Sequence, residues 1–293
     1  MKSGYVAVIG RANAGKSTLV NVLVGEKVAI VSPKPQTTRD RIMGVLTTKD
    51  EQIAFIDTPG LYKADNLLNS VMQKTAEDTA NEVDLIMFVL DVHSGVSDKD
   101  KLLIKKFSSS TVPFVLVLTK TDIMPESLLL SSVKDLSDLG VDIIPVSARK
   151  NKNIKELLKV IRSYLPDGDK IFEQDIISDR SEKFMICEIM REKILLKFDK
   201  EIPHGVAIIV NKFERIHNGK TYDISLDIIC EKENHKAILI GKQGKAIKEV
   251  SSFARQDMEK FLDTKVFLTT YVKVKEDWRN SAFLLKEHGY TEN

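Results

Sequence analysis

Gly10, Arg11, Ala12, Asn13, Ala14, Gly15, Lys16 and Ser17 form a short loop with a glycine at each end, the second followed at once by a lysine and a hydroxyl. Paired glycines let the backbone curl until several amides point inward at phosphate oxygens. A lysine at this spacing sets a full positive charge on the β and γ phosphates, and the serine hydroxyl can bind Mg²⁺. The loop follows an apolar run, 5–9, and opens a helix-patterned stretch into which Thr18 continues as a further nucleotide contact. A chance Gly-x4-Gly-Lys-Ser in a solvent loop needs neither neighbour. Strand, loop and helix start together point to a nucleoside triphosphate site.

Two further segments fit such a site. Asp57, Thr58, Pro59 and Gly60 end another apolar run; Asp57 can hold the Mg²⁺ shell, usually through water, and the Gly60 amide can meet the γ phosphate and sense its presence. Alone this is an ordinary turn, but after a phosphate loop it is a second signal. Thr119, Lys120, Thr121 and Asp122 end a third run, and Ser147, Ala148 and Arg149 end the next. A carboxylate at Asp122 can accept both the N1 and N2 protons of guanine, which adenine lacks, while the Lys120 stem can lie along the base plane. This order selects GTP over ATP. Leu61, directly after Gly60, cannot hydrogen-bond the attacking water, so hydrolysis needs another source of charge stabilisation or water positioning.

The elements that must carry these loops are legible as alternation. Apolar runs at 5–9, 52–57, 84–91, 113–119 and 141–146 read as strands, and amphipathic stretches at 17–24, 69–81, 97–107, 126–139 and 154–165 read as helices. Apolar strands alternating with helices predict an α/β fold with a mostly parallel sheet covered on both faces and ligand loops at the carboxyl ends of the strands. Leu165, Pro166, Asp167 and Gly168 break the last helix, and the polar stretch to Ser181 reads as a linker. Beyond it the pattern is a helix (182–198), two strands (206–213 and 222–230), a helical segment (235–240), a turn, a long helix (245–262) and a strand (266–274). The expected division is therefore 1–165, a linker at 166–181 and a second, smaller α+β domain at 182–293.

Composition agrees with two domains. The chain has 293 residues, 43% of them hydrophobic, which is ample for two cores. With 44 Lys+Arg against 42 Asp+Glu, net charge +2, it is not a polycation that would coat nucleic acid indiscriminately. Cys187 and Cys230, the only cysteines, sit singly in apolar periodic runs and read as reduced core thiols of a cytosolic protein. No apolar run approaches the roughly 20 residues that span a bilayer, and Met1 leads within a few residues into a core strand, leaving no room for a signal peptide.

The four nucleotide segments resemble those of the translation-factor class of small GTPases, over about 1–165. That class usually has Asn where this chain has Thr119. The stretch 31–40 is similar to its first switch, which implies that a threonine completes the Mg²⁺ shell when GTP is bound; Thr38 is preferred to Thr37. Asn13 resembles an asparagine that, in relatives with an apolar residue at the Leu61 position, helps bind K⁺ where an arginine finger would reach. The alternative is that Asn13 only shapes the loop. The resemblance thus implies catalytic roles for Lys16, Asn13, Thr38 and Gly60 and metal ligation by Ser17, Thr38 and Asp57.

Gly241, Lys242, Gln243 and Gly244, with Lys245 following, join two helical segments beside a three-strand pattern. This resembles a KH domain of the type II arrangement, whose GxxG turn clamps the backbone of a single strand while an apolar groove holds the bases. A GTPase followed by such a domain is similar to the bacterial Era family, supported by Gln36 to Arg39, Arg191 to Leu195, Pro203 with His204, and Val272 to Arg279. Departures are Ala12 and Ala14, where Pro and Val are usual, and Gln243, where Gly is usual. The resemblance implies a monomeric, cytoplasmic GTPase that uses GTP, Mg²⁺ and K⁺, binds the 3′ end of 16S ribosomal RNA and assists 30S subunit maturation, with peripheral contact at the inner membrane face. Three rival readings remain: a P-loop kinase or metabolic ATPase, a nucleotide-regulated RNA-binding module with negligible turnover, and another RNA-linked P-loop GTPase.

Overall fold

The computed structural model describes residues 1–61, 65–93 and 95–290. They form two compact units that the chain enters more than once. The first comprises Met1–Ala29, Thr38–Lys63 and Met72–Asp179, the second Ile30–Thr37, Ala64–Val71 and Arg180–Asn293.

The first unit is built on strands β1 (Lys2–Gly10), β2 (Ile42–Thr47), β3 (Glu51–Asp57), β4 (Leu85–Asp91), β5 (Phe114–Thr119) and β6 (Asp142–Pro145), in sheet order β2-β3-β1-β4-β5-β6. Every pairing is parallel except β2 with β3. Successive side chains point to opposite faces, so β1 feeds two cores. Val6 and Val8 pack with Leu19 and Leu23 of α1 (Lys16–Val24) and with Ile154, Leu157 and Ile161 of α5 (Ile154–Tyr164). Ala7 and Ile9 pack with Ala80 of α2 (Leu67–Asn81), Ile104 and Phe107 of α3 (Asp98–Ser108) and Leu136 of α4 (Glu126–Ser137). The i, i+3, i+7 spacing in α5 is the stripe that a sheet-covering helix needs. Burial of each such side chain contributes about 1.5–3 kcal/mol.

Two features depart from the sequence reading. The strand β2 was not expected, because Gly44 interrupts its apolar pattern and it forms the sheet edge. The stretch expected as a linker is packed against that edge and lies in the first unit as far as Asp179. The Val45 amide donates to the Ile177 carbonyl at 2.8 Å and the Met43 amide to Asp179 Oδ1 at 3.1 Å. Gln52, fully buried, accepts from the amides of Ile171 and Phe172 at 2.6 and 2.8 Å. An exposed row of strand amides invites pairing, and this polar stretch supplies it.

The second unit has α6 (Glu182–Lys197), β7 (Ala207–Ile216), β8 (Thr221–Cys230), α7 (Glu233–Ile240), α8 (Lys245–Leu262), β9 (Lys265–Val274) and α9 (Ala282–Glu287), close to the expected pattern apart from the added α9. Its sheet order is β7-β8-β9, antiparallel then parallel. One core joins Ile186, Ile189, Met190 and Ile194 of α6, alternate residues Ile224, Leu226 and Ile228 of β8, and Val250, Ala254 and Met258 of α8. Trp278, fully buried, donates from Nε1 to the Gly205 carbonyl at 3.0 Å and fastens the chain after β9. Burial pushes the Cys187 thiol up to about 12, so it is not a nucleophile at neutral pH. No helix among the described residues is long and apolar enough to cross a membrane.

Candidate nucleotide site and nucleic-acid turn

The predicted nucleotide residues lie at or just beyond the carboxyl ends of β1, β3, β5 and β6. Gly10 ends β1, and Gly15, in the left-handed region at φ 93°, starts α1. Between them Ala14 is buried and donates its amide to the Arg11 carbonyl, while Asn13 is exposed with φ 59°. Lys16 curls back over the loop: its ammonium donates to the carbonyls of Gly10 and Arg11 at 3.2 and 3.1 Å. The Arg11 side chain goes elsewhere, to Asp100 at 3.1 Å, the residue that also closes the capping box with Ser97 at the start of α3. Arg11 therefore contributes backbone to the loop, and its guanidinium braces α3.

Three oxygens converge beside Lys16. The Ser17 hydroxyl donates to Asp57 Oδ2 at 2.6 Å, the Thr38 hydroxyl donates to the same atom at 3.2 Å, and the two hydroxyls lie 2.9 Å apart. Thr37 is turned away, its hydroxyl donating to the Lys34 carbonyl at 2.6 Å. The structure thus places Thr38 at the site and Thr37 outside it. Asp57 is fully buried, and its other oxygen, Oδ1, has no hydrogen-bond partner among the described residues. Burial raises the Asp57 carboxyl above its ordinary range against the opposing pull of Lys16, Ser17 and Thr38. Burial likewise lowers the Lys16 ammonium, against the pull of Asp57. A bare buried carboxylate oxygen beside two hydroxyls is a donor set that suits a hard, oxygen-seeking cation such as Mg²⁺, and a nearby phosphate would oppose the lowering that burial imposes on Lys16.

Gly60 sits against the loop so closely that a Cβ there would lie 2.9 Å from both the backbone nitrogen and Cα of Ala12. Only glycine allows that approach. The next amide, of Leu61, donates to the Gly10 carbonyl at 3.1 Å, and the Leu61 side chain packs toward the core beneath.

The segments expected to read the base also come together. Thr119, 3% exposed, donates its hydroxyl to the Ala14 carbonyl at 2.6 Å, tying the end of β5 to the phosphate loop. Its departure from asparagine therefore keeps a hydrogen bond between the two loops. Lys120, at φ 60°, pairs through its ammonium with Asp91 at 2.7 Å. Asp91 was not anticipated, although its position at the end of β4 was the available signal. Asp122 is exposed and accepts from the buried Ser147 hydroxyl at 2.6 Å, which holds its carboxyl below the ordinary range. Ala148 follows Ser147 in the same loop, and the Lys150 amide donates back to Ser147 Oγ at 3.1 Å. The Thr18 side chain is half-buried in the first turn of α1.

In the second unit, Gly241 to Gly244 turn the chain between α7 and α8. Gly241 has φ 72°, and a Cβ there would lie 2.6 Å from that of Ala246, so both the turn and the packing require glycine. Gln243 takes φ 52°, a left-handed conformation that an L side chain adopts at a cost. Lys242, Gln243 and Lys245 are exposed, as is Lys248 one turn on, and the three lysines have no ion pair among the described residues.

Residues 5–120 match the family model of the 50S ribosome-binding GTPases, and residues 201–279 match that of the KH domain. Over 293 residues the chain is 45% identical to GTPase Era of Clostridium novyi (strain NT), with 99% of each chain covered. It belongs to the Era family of GTPases. As an Era-family member it is a GTP hydrolase, which sets aside the kinase and metabolic ATPase reading. Two solved Era structures align over 100% of both chains. One is a point variant of Aquifex aeolicus Era bound to GDP and AlF4⁻ (TM-score 0.95, 36% identity), and the other is Era in complex with MgGDPNP and nucleotides 1506–1542 of 16S ribosomal RNA (TM-score 0.96, 37% identity). The P-loop GTPase fold with a C-terminal KH domain is that of the Era family.

Proposed function

We propose that this chain is a GTP-hydrolysing factor that clamps the 3′ end of 16S ribosomal RNA in its KH domain and assists 30S subunit maturation. The observation that carries the RNA half is the turn from Gly241 to Gly244, flanked by exposed lysines without ion pairs among the described residues. Backbone phosphates of a single strand are read by such a turn, and the bases lie in the adjoining apolar groove. The Era complex with a 16S segment supports the choice of RNA.

In the first unit, the loop amides and the Lys16 ammonium bind the triphosphate, the Gly60 amide meets the γ phosphate, and Asp122 with Ser147 and Ala148 reads guanine. Ser17, Thr38 and Asp57 would hold Mg²⁺, which when bound neutralises charge on the β and γ phosphates. Leu61 positions no water. Asn13, exposed and with no side-chain hydrogen bond among the described residues, is the residue available to hold K⁺ where hydrolysis needs positive charge. We place the functional domains at 1–165 and 182–293, with the packed stretch 166–181 joining them.

The test is a salt titration of binding to a short RNA oligonucleotide with the 16S 3′-end sequence. Lys242→Ala with Gln243→Asp removes one cation and adds a carboxylate, so affinity should fall and the slope of log affinity against log salt should flatten by about 0.7 per lost phosphate contact. GTP affinity of the same variant should stay at the unmodified value. Unchanged RNA affinity and slope would return Gly241 to Gly244 to the role of a helix connection.

A further inference from the structure

Arg191 lies in the middle of α6, and its side chain is 1% exposed. Its Nε donates to Glu188 Oε1 at 2.7 Å, and one terminal nitrogen donates to the other oxygen of that carboxylate. A buried ion pair of this kind adds little stability, because desolvating both charges cancels most of their attraction. The outward edge of the guanidinium has a more specific use. Nη1 donates to the Gln36 carbonyl at 3.1 Å, and Nη2 donates to the Thr37 carbonyl. A rigid planar fork is suited to holding two successive carbonyls at once.

The segment so held, Ile30–Thr37, belongs to the same compact unit as α6 and has no strand or helix of its own. It is fastened at further points. The Val31 amide donates to Glu192 Oε1 at 3.0 Å, and the Lys34 ammonium donates to the Phe198 carbonyl and, at 2.8 Å, to Asp199. The residue after Thr37 is Thr38, whose hydroxyl meets Ser17 and Asp57. One peptide bond separates the carbonyl that Arg191 holds from the residue that must reach the metal.

We propose that Arg191 is a positioning residue for the nucleotide site: by holding the Thr37 carbonyl it fixes the peptide from which Thr38 is presented. This rests on the reading that Thr38 completes the Mg²⁺ shell only with the triphosphate. A helix of the KH unit then contributes to discrimination between GTP and GDP, and by reciprocity the bound triphosphate stabilises the anchored form of Ile30–Thr37.

The full-length protein tests this through affinities for GDPNP and GDP in Mg²⁺. Arg191→Met is combined with Glu188→Gln so that no buried charge is orphaned. Loss of charge-assisted hydrogen bonds should weaken GDPNP by about tenfold or more and leave GDP within about twofold. Thr38→Ala should show the same selective loss, and adding Thr38→Ala to the pair should cost little beyond Thr38→Ala alone, because both act through one ligand. Should the pair not fold, Arg191→Lys, which keeps the charge but not the fork, carries the test with a smaller loss in the same direction. A selective loss in Thr38→Ala with GDPNP affinity unchanged in the Arg191 variants would overturn the inference and leave the Thr38 reading standing. No loss in Thr38→Ala would overturn that reading and the inference with it. Equal weakening of both nucleotides would make Arg191 a residue of the fold alone.

Discussion

Replacing Thr119 by valine keeps the shape of the side chain and removes its hydroxyl. In the native chain that hydroxyl donates to the Ala14 carbonyl at 2.6 Å, with a longer contact to the Leu90 carbonyl at 3.3 Å, and Thr119 is 3% exposed and Ala14 2%. The variant therefore leaves a buried acceptor unpaired, a loss of about 1–3 kcal/mol. The bond joins two of the protein's own loops, so most of this loss falls on the stability of the first unit rather than on ligand affinity. Urea unfolding without nucleotide should show the full decrease, whereas GDP affinity should change by less than about tenfold, since tenfold corresponds to about 1.4 kcal/mol. Thr119→Ser keeps the donor and should lie within about 1 kcal/mol of the native protein, the loss expected for one methyl group. If valine is as stable as threonine, or serine as costly as valine, the hydroxyl does not tie the two loops and the methyl packing is what matters.

Asp122→Asn should shift base preference from guanine toward xanthine, because a carboxylate that accepts two protons becomes an amide that can donate; competition between GDP and XDP reads it, and an unchanged preference in a folded variant would remove Asp122 from that role. Hydrolysis should be faster in K⁺ than in Na⁺, and Asn13→Ala should abolish the difference; an arginine finger supplies on the order of 10³ to 10⁵ and a held cation a part of that, so equal rates in the two salts with 30S subunits added would exclude the idea. Burial lowers the His288 imidazolium below its ordinary value, so the folded state binds fewer protons than the unfolded one as pH falls through the ordinary histidine range. Stability of the second unit should decline over that acid window down to the lowered value, and His288→Phe should flatten the slope; an identical pH profile would refute it. Gln243→Gly should stabilise the second unit by about 0.5–1 kcal/mol, since relief of a left-handed L residue, about 1–2 kcal/mol, exceeds the added freedom of glycine in the unfolded chain; a lower melting temperature would show that the Gln243 side chain makes a contact worth more than its strain.

Much of this was legible because the decisive signals are local. The apolar runs of β4 and β5 are buried along almost their whole length, and the two-glycine loop needs only its flanking strand and helix to be read. The long helix Lys245–Leu262 begins and ends where its apolar stripe does. What escaped reading is decided by partners distant in the chain. Nothing near Ile42–Thr47 announces a strand, since its order comes from β3 on one side and Ile176–Asp179 on the other. That second stretch looks like a linker because it docks mostly through hydrogen bonds to the backbone of β2 and to one buried glutamine, with the Phe172 ring edge-on to Tyr5 adding an apolar contact. Thr37 and Thr38 have the same chemistry, and only the direction of each hydroxyl separates them. Arg11 lies in the phosphate loop, yet its charge answers a carboxylate 89 residues away.

The positions where local preference is overruled lie mostly at the loops assigned to function. Asn13 and Lys120 take positive φ in the phosphate and base loops, and Gln243 does so in the GxxG turn. Lys16 and Asp57 are both buried against the shifts that burial imposes, with one Asp57 oxygen unpaired among the described residues. Each of these costs stability in the protein without ligand. A fold retains such costs where a ligand relieves them, and under the function proposed above the relief is specific: phosphate charge for Lys16 and a cation for Asp57. The nucleotide-bound first unit must therefore be more stable than the free one by more than its contacts to the base alone provide, and the excess should depend on Mg²⁺.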